Sequence, residues 1–227
     1  MHARANIIEL KELLARRFPK TQRAFAPIAE SSTRNHWSTG VSELDTLLGG
    51  GLPCGEFIEI VGRGLGSGTA QILHQVIRTN AYQGRYTALI DASDSLDVQA
   101  IEPRILSQLL WVRCRTVDEA MKAADILLRD RNFPQIILDL KLSAEMDLKK
   151  VSGTTWYRLD RLREYHGNTA LILSPFSLVS SAAWRFEVST RLSGGSLSQT
   201  TEELVSKFRF LILRQPARSF QTEAQAG

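Results

Sequence analysis

The segment Gly62-Arg-Gly-Leu-Gly-Ser-Gly-Thr69 decides the fold. It follows the apolar, strand-like run Phe57-Ile-Glu-Ile-Val61 and opens an expected helix from Ala70 to Thr79. Strand, glycine-rich turn and helix, in that order, are the setting of a nucleotide phosphate loop. The glycines permit a tight turn with inward-facing amides, and the helix start favours an anion. The lysine that should meet the β- and γ-phosphates is absent. Four readings stay open from the residues alone. The turn serves geometry only, or it still holds a phosphate or nucleotide, with Thr69 near a magnesium ion and Arg63 offering charge. Alternatively it hydrolyses nucleotide unaided, or it borrows a cation from elsewhere in the chain or from a partner.

Working outward, the 227 residues suffice for one substantial core with small appendages. Hydrophobic residues make up 43% and charged residues 23%, an ordinary globular balance, so the chain is not expected to be disordered. A net charge of +4 permits contact with nucleic acid but does not argue for it without a clustered patch. Cys54 and Cys114, with four scattered histidines, give no metal-ligand spacing, and a reducing compartment is expected. The start has no secretion-type apolar core, and no apolar run approaches about 18 residues, so a cytoplasmic protein without membrane contact is expected.

Three regions are expected: an N-terminal helix and linker over 1–36, a core over 37–214, and a loose tail over 215–227. Residues 6–18 suit an amphipathic helix, with Ile7, Leu10, Leu14 and Phe18 near helical period and Glu12 and Arg16 as an i,i+4 pair. That helix could dock on its own core, on a partner or on a neighbouring subunit, or stay unstructured. Residues 19–37 read as a linker carrying Pro19 and Pro27.

Within the core, a short helix at Ser42 to Leu48 stops at Gly49-Gly-Gly51. Strands are expected at 56–61, 86–91, 109–114, 134–140 and 169–174, with helices at 70–80, near 98–107, at 117–129 and at 154–165. Thr116 and Glu119 form a capping box for the third helix. This alternation predicts an α/β fold with a mostly parallel central sheet flanked by helices. Two closing strands, 183–191 and 205–214, are expected to extend it in antiparallel fashion.

Two further segments belong with the loop. Pro134-Gln-Ile-Ile-Leu-Asp-Leu140 is a buried strand ending in Asp139, the context of a carboxylate that holds magnesium or its water. Leu89-Ile-Asp-Ala-Ser-Asp-Ser-Leu-Asp97 brings carboxylates to the exit of another strand, at the expected ligand edge of an open sheet. Asp94 and Asp97 there also read as ordinary helix caps.

In the order and spacing of these pieces, residues 37–214 resemble the RecA-like ATPase superfamily. Within it the likeness is to ImuA-type and SulA-like proteins of the bacterial DNA-damage response. It is carried by Ser38-Thr-Gly-Val-Ser-Glu-Leu-Asp45, Gly49-Gly-Gly-Leu-Pro-Cys-Gly55, Phe57 to Thr69, Leu89 to Asp97 and Ile136 to Leu140. The resemblance makes Gly62, Arg63, Gly64, Gly66, Ser67, Gly68, Thr69 and Asp139 the remnant of a phosphate or nucleotide site. Gly68 then stands where the family has its Walker A lysine, and Ser67 where it has the preceding glycine. Ser93 stands where the family has a water-activating glutamate, and a serine is no comparable base near neutral pH.

Charge stabilisation and nucleophile positioning are thus both expected to be lost, leaving a pseudo-ATPase with little hydrolysis and no required cofactor, ATP and magnesium included. The family's DNA loops correspond to about 141–154 and 175–183. Lys149 and Lys150 are candidate contacts in the first, but Glu145 and Asp147 dilute their charge. Phe176 in the second could stack on a base, or anchor the loop in the core. DNA binding is therefore expected to be weak or indirect. The ImuA likeness implies association with an ImuB-type, Y-family polymerase-like protein, an error-prone replicative-type polymerase and RecA, with Ile7, Leu10, Leu14 and Phe18 as the docking face. The SulA likeness implies instead an inhibitor of FtsZ assembly, and a nucleotide switch is the third alternative.

Overall fold

The computed structural model describes residues 36–64, 66–130, 132–190 and 201–216. The expected helix at 6–18 and most of the expected tail lie outside them.

The chain opens with β1 (His36–Trp37), α1 (Ser42–Leu47) and β2 (Leu52–Pro53), with β1 and β2 paired antiparallel. The glycine-bearing strand β3 (Phe57–Gly62) leads to α2 (Thr69–Tyr82) and β4 (Thr87–Asp91). A 3-10 turn (Val98–Ala100), α3 (Pro103–Leu106) and β5 (Leu109–Arg113) follow, then α4 (Val117–Leu127) and β6 (Gln135–Asp139). The chain continues through α5 (Glu145–Lys149), α6 (Gly153–His166), β7 (Thr169–Ser174), β8 (Trp184–Thr190), α7 (Thr201–Val205) and β9 (Phe208–Arg214).

Seven strands form one sheet in the order β5-β4-β6-β7-β3-β8-β9. All neighbours are parallel except β8 and β9. The α/β expectation therefore holds, with one refinement. Only β9 runs antiparallel, because the connection from β7 passes over β3 and enters β8 in the same direction as β3.

Period-2 alternation distributes each strand between two cores. Ile58, Ile60, Leu89, Ile137, Leu171 and Leu173 face the side of α1 and α2. Phe57, Ala88, Ile90, Ile136, Leu138 and Ile172 face α4 and α6, where Trp156 is also buried. Burial on both faces explains why these strands read as continuous apolar runs.

The helix expected near 98–107 is broken. Pro103 takes the first helical position of α3, and Glu102 before it is extended (φ −61°, ψ 141°), as the proline ring requires. Thr116 caps α4 as expected, its Oγ1 accepting from Glu119 N at 3.2 Å, while Glu119 reaches back one residue past the cap and accepts from Arg115 N at 2.9 Å. Helices α5 and α7 were not expected. The first lies inside the stretch read as a loop, and the second delays the last strand to Phe208.

Candidate functional site

The phosphate-type loop sits where β3 passes into α2, at the carboxyl edge of the parallel strands, the ligand edge of such sheets. Its backbone carbonyls are held by side chains from elsewhere. Lys141, just past β6, donates from Nζ to the Gly64 carbonyl at 2.9 Å. Thr190, at the end of β8, donates to the Gly66 carbonyl at 3.1 Å. Arg63 turns outward to Glu187 of β8 at 2.9 Å, its side chain 64% exposed.

The interior of the turn is occupied by its own hydroxyls. Ser67 Oγ lies 3.3 Å from Thr69 Oγ1, and both residues are buried. A Cβ on Gly62 would collide with Ser67 Oγ and would stand 2.6 Å from Thr69 Cγ2, so the turn closes only around a glycine at 62. Gly68 caps α2 with φ +90°, a left-handed conformation that L side chains rarely adopt. A Cβ there would lie 2.7 Å from Thr190 Cγ2 and 2.8 Å from Phe208 Cζ. Position 68 is thus walled by β8 and β9.

Asp139 ends β6 directly opposite Asp91 of β4 in the parallel register. Burial, with Asp91 adding to it, pushes the Asp139 carboxyl up from 3.8 to about 6, against the Lys141 backbone N–H that donates to Oδ1 at 3.0 Å. Asp91 is itself buried and accepts from Ser95 N at 2.8 Å, Leu96 N at 3.0 Å, Ser93 N at 3.2 Å and Trp111 Nε1 at 3.2 Å. It organises the turn after β4. Ser93 Oγ lies 3.5 Å from Ser143 Oγ, so two hydroxyls meet at that place. Asp97 caps the 3-10 turn through Gln99 N, as the capping alternative anticipated, whereas Asp94 does not cap but grips Arg113 through both carboxylate oxygens.

The candidate DNA contacts have partners within the chain. Lys149 pairs with Glu145 at 2.6 Å and Lys150 with Asp147 at 2.7 Å. Phe176 is half-buried against the α4–α6 core. The segment after β7 is pinned by a residue that sequence reasoning passed over. Glu59, in the middle of β3 and fully buried, accepts from Leu178 N at 2.7 Å, Val179 N at 3.2 Å and Ser174 Oγ at 2.8 Å. Its second oxygen meets Arg185 Nε at 2.5 Å, and Arg185 also donates to the Val179 carbonyl at 2.6 Å. The signal was a lone glutamate inside an apolar strand, which needs partners wherever it is buried. The bond from Lys141 to the glycine loop was not expected either.

The two cysteines are free. Burial pushes the Cys114 thiol up to about 12, with Glu119 and Asp91 adding to it, so it is not a nucleophile. Among the described residues no helix is long and apolar enough to cross a membrane.

No family model matches the chain. A stretch of 105 residues is 37% identical to Protein RecA of Marinobacter nauticus, covering 45% of this chain and 30% of that protein. A stretch of 104 residues is 34% identical to Protein RecA of Synechococcus elongatus, covering 45% and 29%. The chain therefore spans about a third of the length of the curated relatives it matches. Among solved structures, the crystal structure of the RadB recombinase superposes with a TM-score of 0.55 at 16% identity, over 70% of this chain and 86% of that one. The architecture is RecA-like, and nearly half of the sequence is similar to RecA itself.

Proposed function

We propose that this chain is a non-catalytic, RecA-like accessory protein of the DNA-damage response, which organises an error-prone translesion synthesis complex through protein–protein contacts in the cytoplasm. The observation that carries the reading is the wall around Gly68. Thr190 and Phe208 occupy the space through which a lysine side chain would leave the backbone. The loop carbonyls are tied to Lys141 and Thr190, and the hydroxyls of Ser67 and Thr69 face each other. A loop stabilised by its own protein has no need of nucleotide to hold its shape. Phosphoryl transfer needs a cation on the phosphates and a positioned nucleophile, and this site offers Gly68 and Ser93 at those places.

The partners proposed are an ImuB-type, Y-family polymerase-like protein, an error-prone replicative-type polymerase and RecA, met through Ile7, Leu10, Leu14 and Phe18. DNA is reached through them, since Lys149 and Lys150 are each neutralised by a neighbouring carboxylate. Capture of the tagged chain from native cells after DNA damage, with undamaged cells and a 1–20 deletion as controls, tests this. Recovery of the polymerase-like protein that depends on residues 1–20 supports the adaptor. Recovery of FtsZ instead moves the assignment to a SulA-like inhibitor of division.

One observation favours a second reading, a nucleotide-binding switch. Lys141 brings an ammonium to the loop from the strand that carries Asp139, and Thr69 is retained. Equilibrium binding of radiolabelled ATP, with and without magnesium, separates the two. Micromolar binding without turnover favours the switch.

A further inference from the structure

A groove of about 880 Å³ lies on the opposite face from α2, between α4 and the α5–α6 junction, and no residue of the glycine loop lines it. Its floor is apolar: Val117, Met121, Ile126 and Val151. Its rim carries charge of both signs, with Asp118 held by Lys122 at 2.5 Å, Asp147 by Lys150 at 2.7 Å and Asp125 by Arg158 at 3.1 Å. The carboxylates of Asp118 and Asp147 keep an open side, their side chains being 75% and 53% exposed. An apolar channel with a charged rim is shaped for an amphipathic helix.

The geometry points to one occupant: residues 6–18 of the same molecule. On a helix advancing about 100° per residue, Ile7, Leu10, Leu14 and Phe18 form one stripe, and the residues flanking it are Lys11 on one side and Arg17 on the other. Glu9, Glu12 and Arg16 fall on the far side. Laid in the groove, the stripe covers the floor while the two cations meet the open carboxylates of Asp118 and Asp147.

The connection is long enough. The described chain begins at His36, and residues 19–35 span about 60 Å when extended. A compact domain of this size is about 40 Å across. A tether of that length also holds the segment at an effective concentration near the millimolar range, which favours the molecule's own groove over that of a second copy. The inference does not depend on the adaptor reading. Where both hold, a partner that uses Ile7, Leu10, Leu14 and Phe18 must first draw the segment out of the groove, which makes docking a regulated step.

Cross-linking on the full chain tests the proposal. Cys54→Ser removes the accessible thiol and leaves Cys114, which is buried. Leu14→Cys combined with Lys122→Cys on the rim is treated with a short-arm bismaleimide, and Leu14→Cys combined with Ser42→Cys on the opposite face is the control. The expected product runs as a monomer at every protein concentration, with a yield about tenfold above the control. Adding Val151→Glu or, independently, Ile126→Glu abolishes it, with the fold of each variant checked by its thermal melt. A product that runs as a dimer, equal yields from the two pairs, or a yield unmoved by both groove variants in folded protein overturns the proposal.

Discussion

Restoring the missing lysine should damage the protein and should not create an ATPase. Gly68→Lys places a side chain on a residue with φ +90°, for which a non-glycine residue costs about 1–2 kcal/mol. The new Cβ must also displace Thr190 Cγ2 at 2.7 Å and Phe208 Cζ at 2.8 Å. Phe208 is fully buried beside Val188 and Phe210, so it yields only by repacking, and over-packing of this kind costs about 1–3 kcal/mol. The expected loss is therefore about 2–5 kcal/mol, a large share of the roughly 5–15 kcal/mol that holds a typical domain. Urea denaturation followed by circular dichroism measures it. Gly68→Ala is the informative companion, because both costs arise at Cβ, so alanine should lose nearly as much as lysine. A Gly68→Lys protein with the parental midpoint, or one that turns over ATP in a coupled assay, would refute the reasoning about the walled loop.

Three further outcomes are expected. Asp139 has a carboxyl pKa raised from 3.8 to about 6, so the folded protein holds its proton more tightly than the unfolded chain, and the penalty for ionisation grows as pH rises from about 4 to 6. Asp139→Asn should therefore be more stable than the parent by about 1–3 kcal/mol at pH 8, with the gap closing below pH 4; melts across that range showing a constant gap would count against the assignment. Glu59→Gln leaves Arg185 facing an amide inside the sheet and should cost about 3–5 kcal/mol while speeding proteolysis in 175–183, so a parental urea midpoint would rule out the clamp. Lys141→Ala should accelerate amide exchange at residues 63, 64 and 66 about fivefold, corresponding to about 1 kcal/mol of local opening, with little change in global stability; unchanged exchange would mean the Lys141–Gly64 contact holds nothing in place.

The fold was legible because the sheet is buried on both faces. Five parallel strands wrote themselves as apolar runs, and α4 announced its start through Thr116 and Glu119. What failed to show was local and polar. Pro103 starts a new helix inside the stretch expected as one near 98–107, and α5 is too short for its period to register. The closing strands β8 and β9 pair antiparallel as expected, but that β8 itself runs parallel to β3 was not legible, because strand direction is set by the path of the connection and not by the residues of the strand. At the site, the absence of a lysine at 68 was plain, but the crowding around that position was not. Thr190 and Phe208 lie more than a hundred residues away, and no spacing rule links them to Gly68.

Lys141 and Glu59 hold the glycine-rich turn and the strand that feeds it. In a nucleotide site the phosphates supply the charge around which a glycine-rich turn orders. Here a cation from the end of β6 binds the turn at Gly64, and a hydroxyl from β8 binds it at Gly66. Glu59, in the strand that feeds the turn, binds the start of β8 through Arg185 and the segment after β7 through two backbone amides. β3, β8 and the segment after β7 are thus cross-tied by groups of the protein's own. Hydrogen bonds and an ion pair within the protein thus add to strand register and packing in ordering the turn and the strand that feeds it. On the proposed adaptor reading, substitutions at Ser67 or Thr69 that keep the turn closed should leave partner binding intact in a pull-down, whereas those that open it, such as Gly62→Ala, should abolish binding by unfolding the edge.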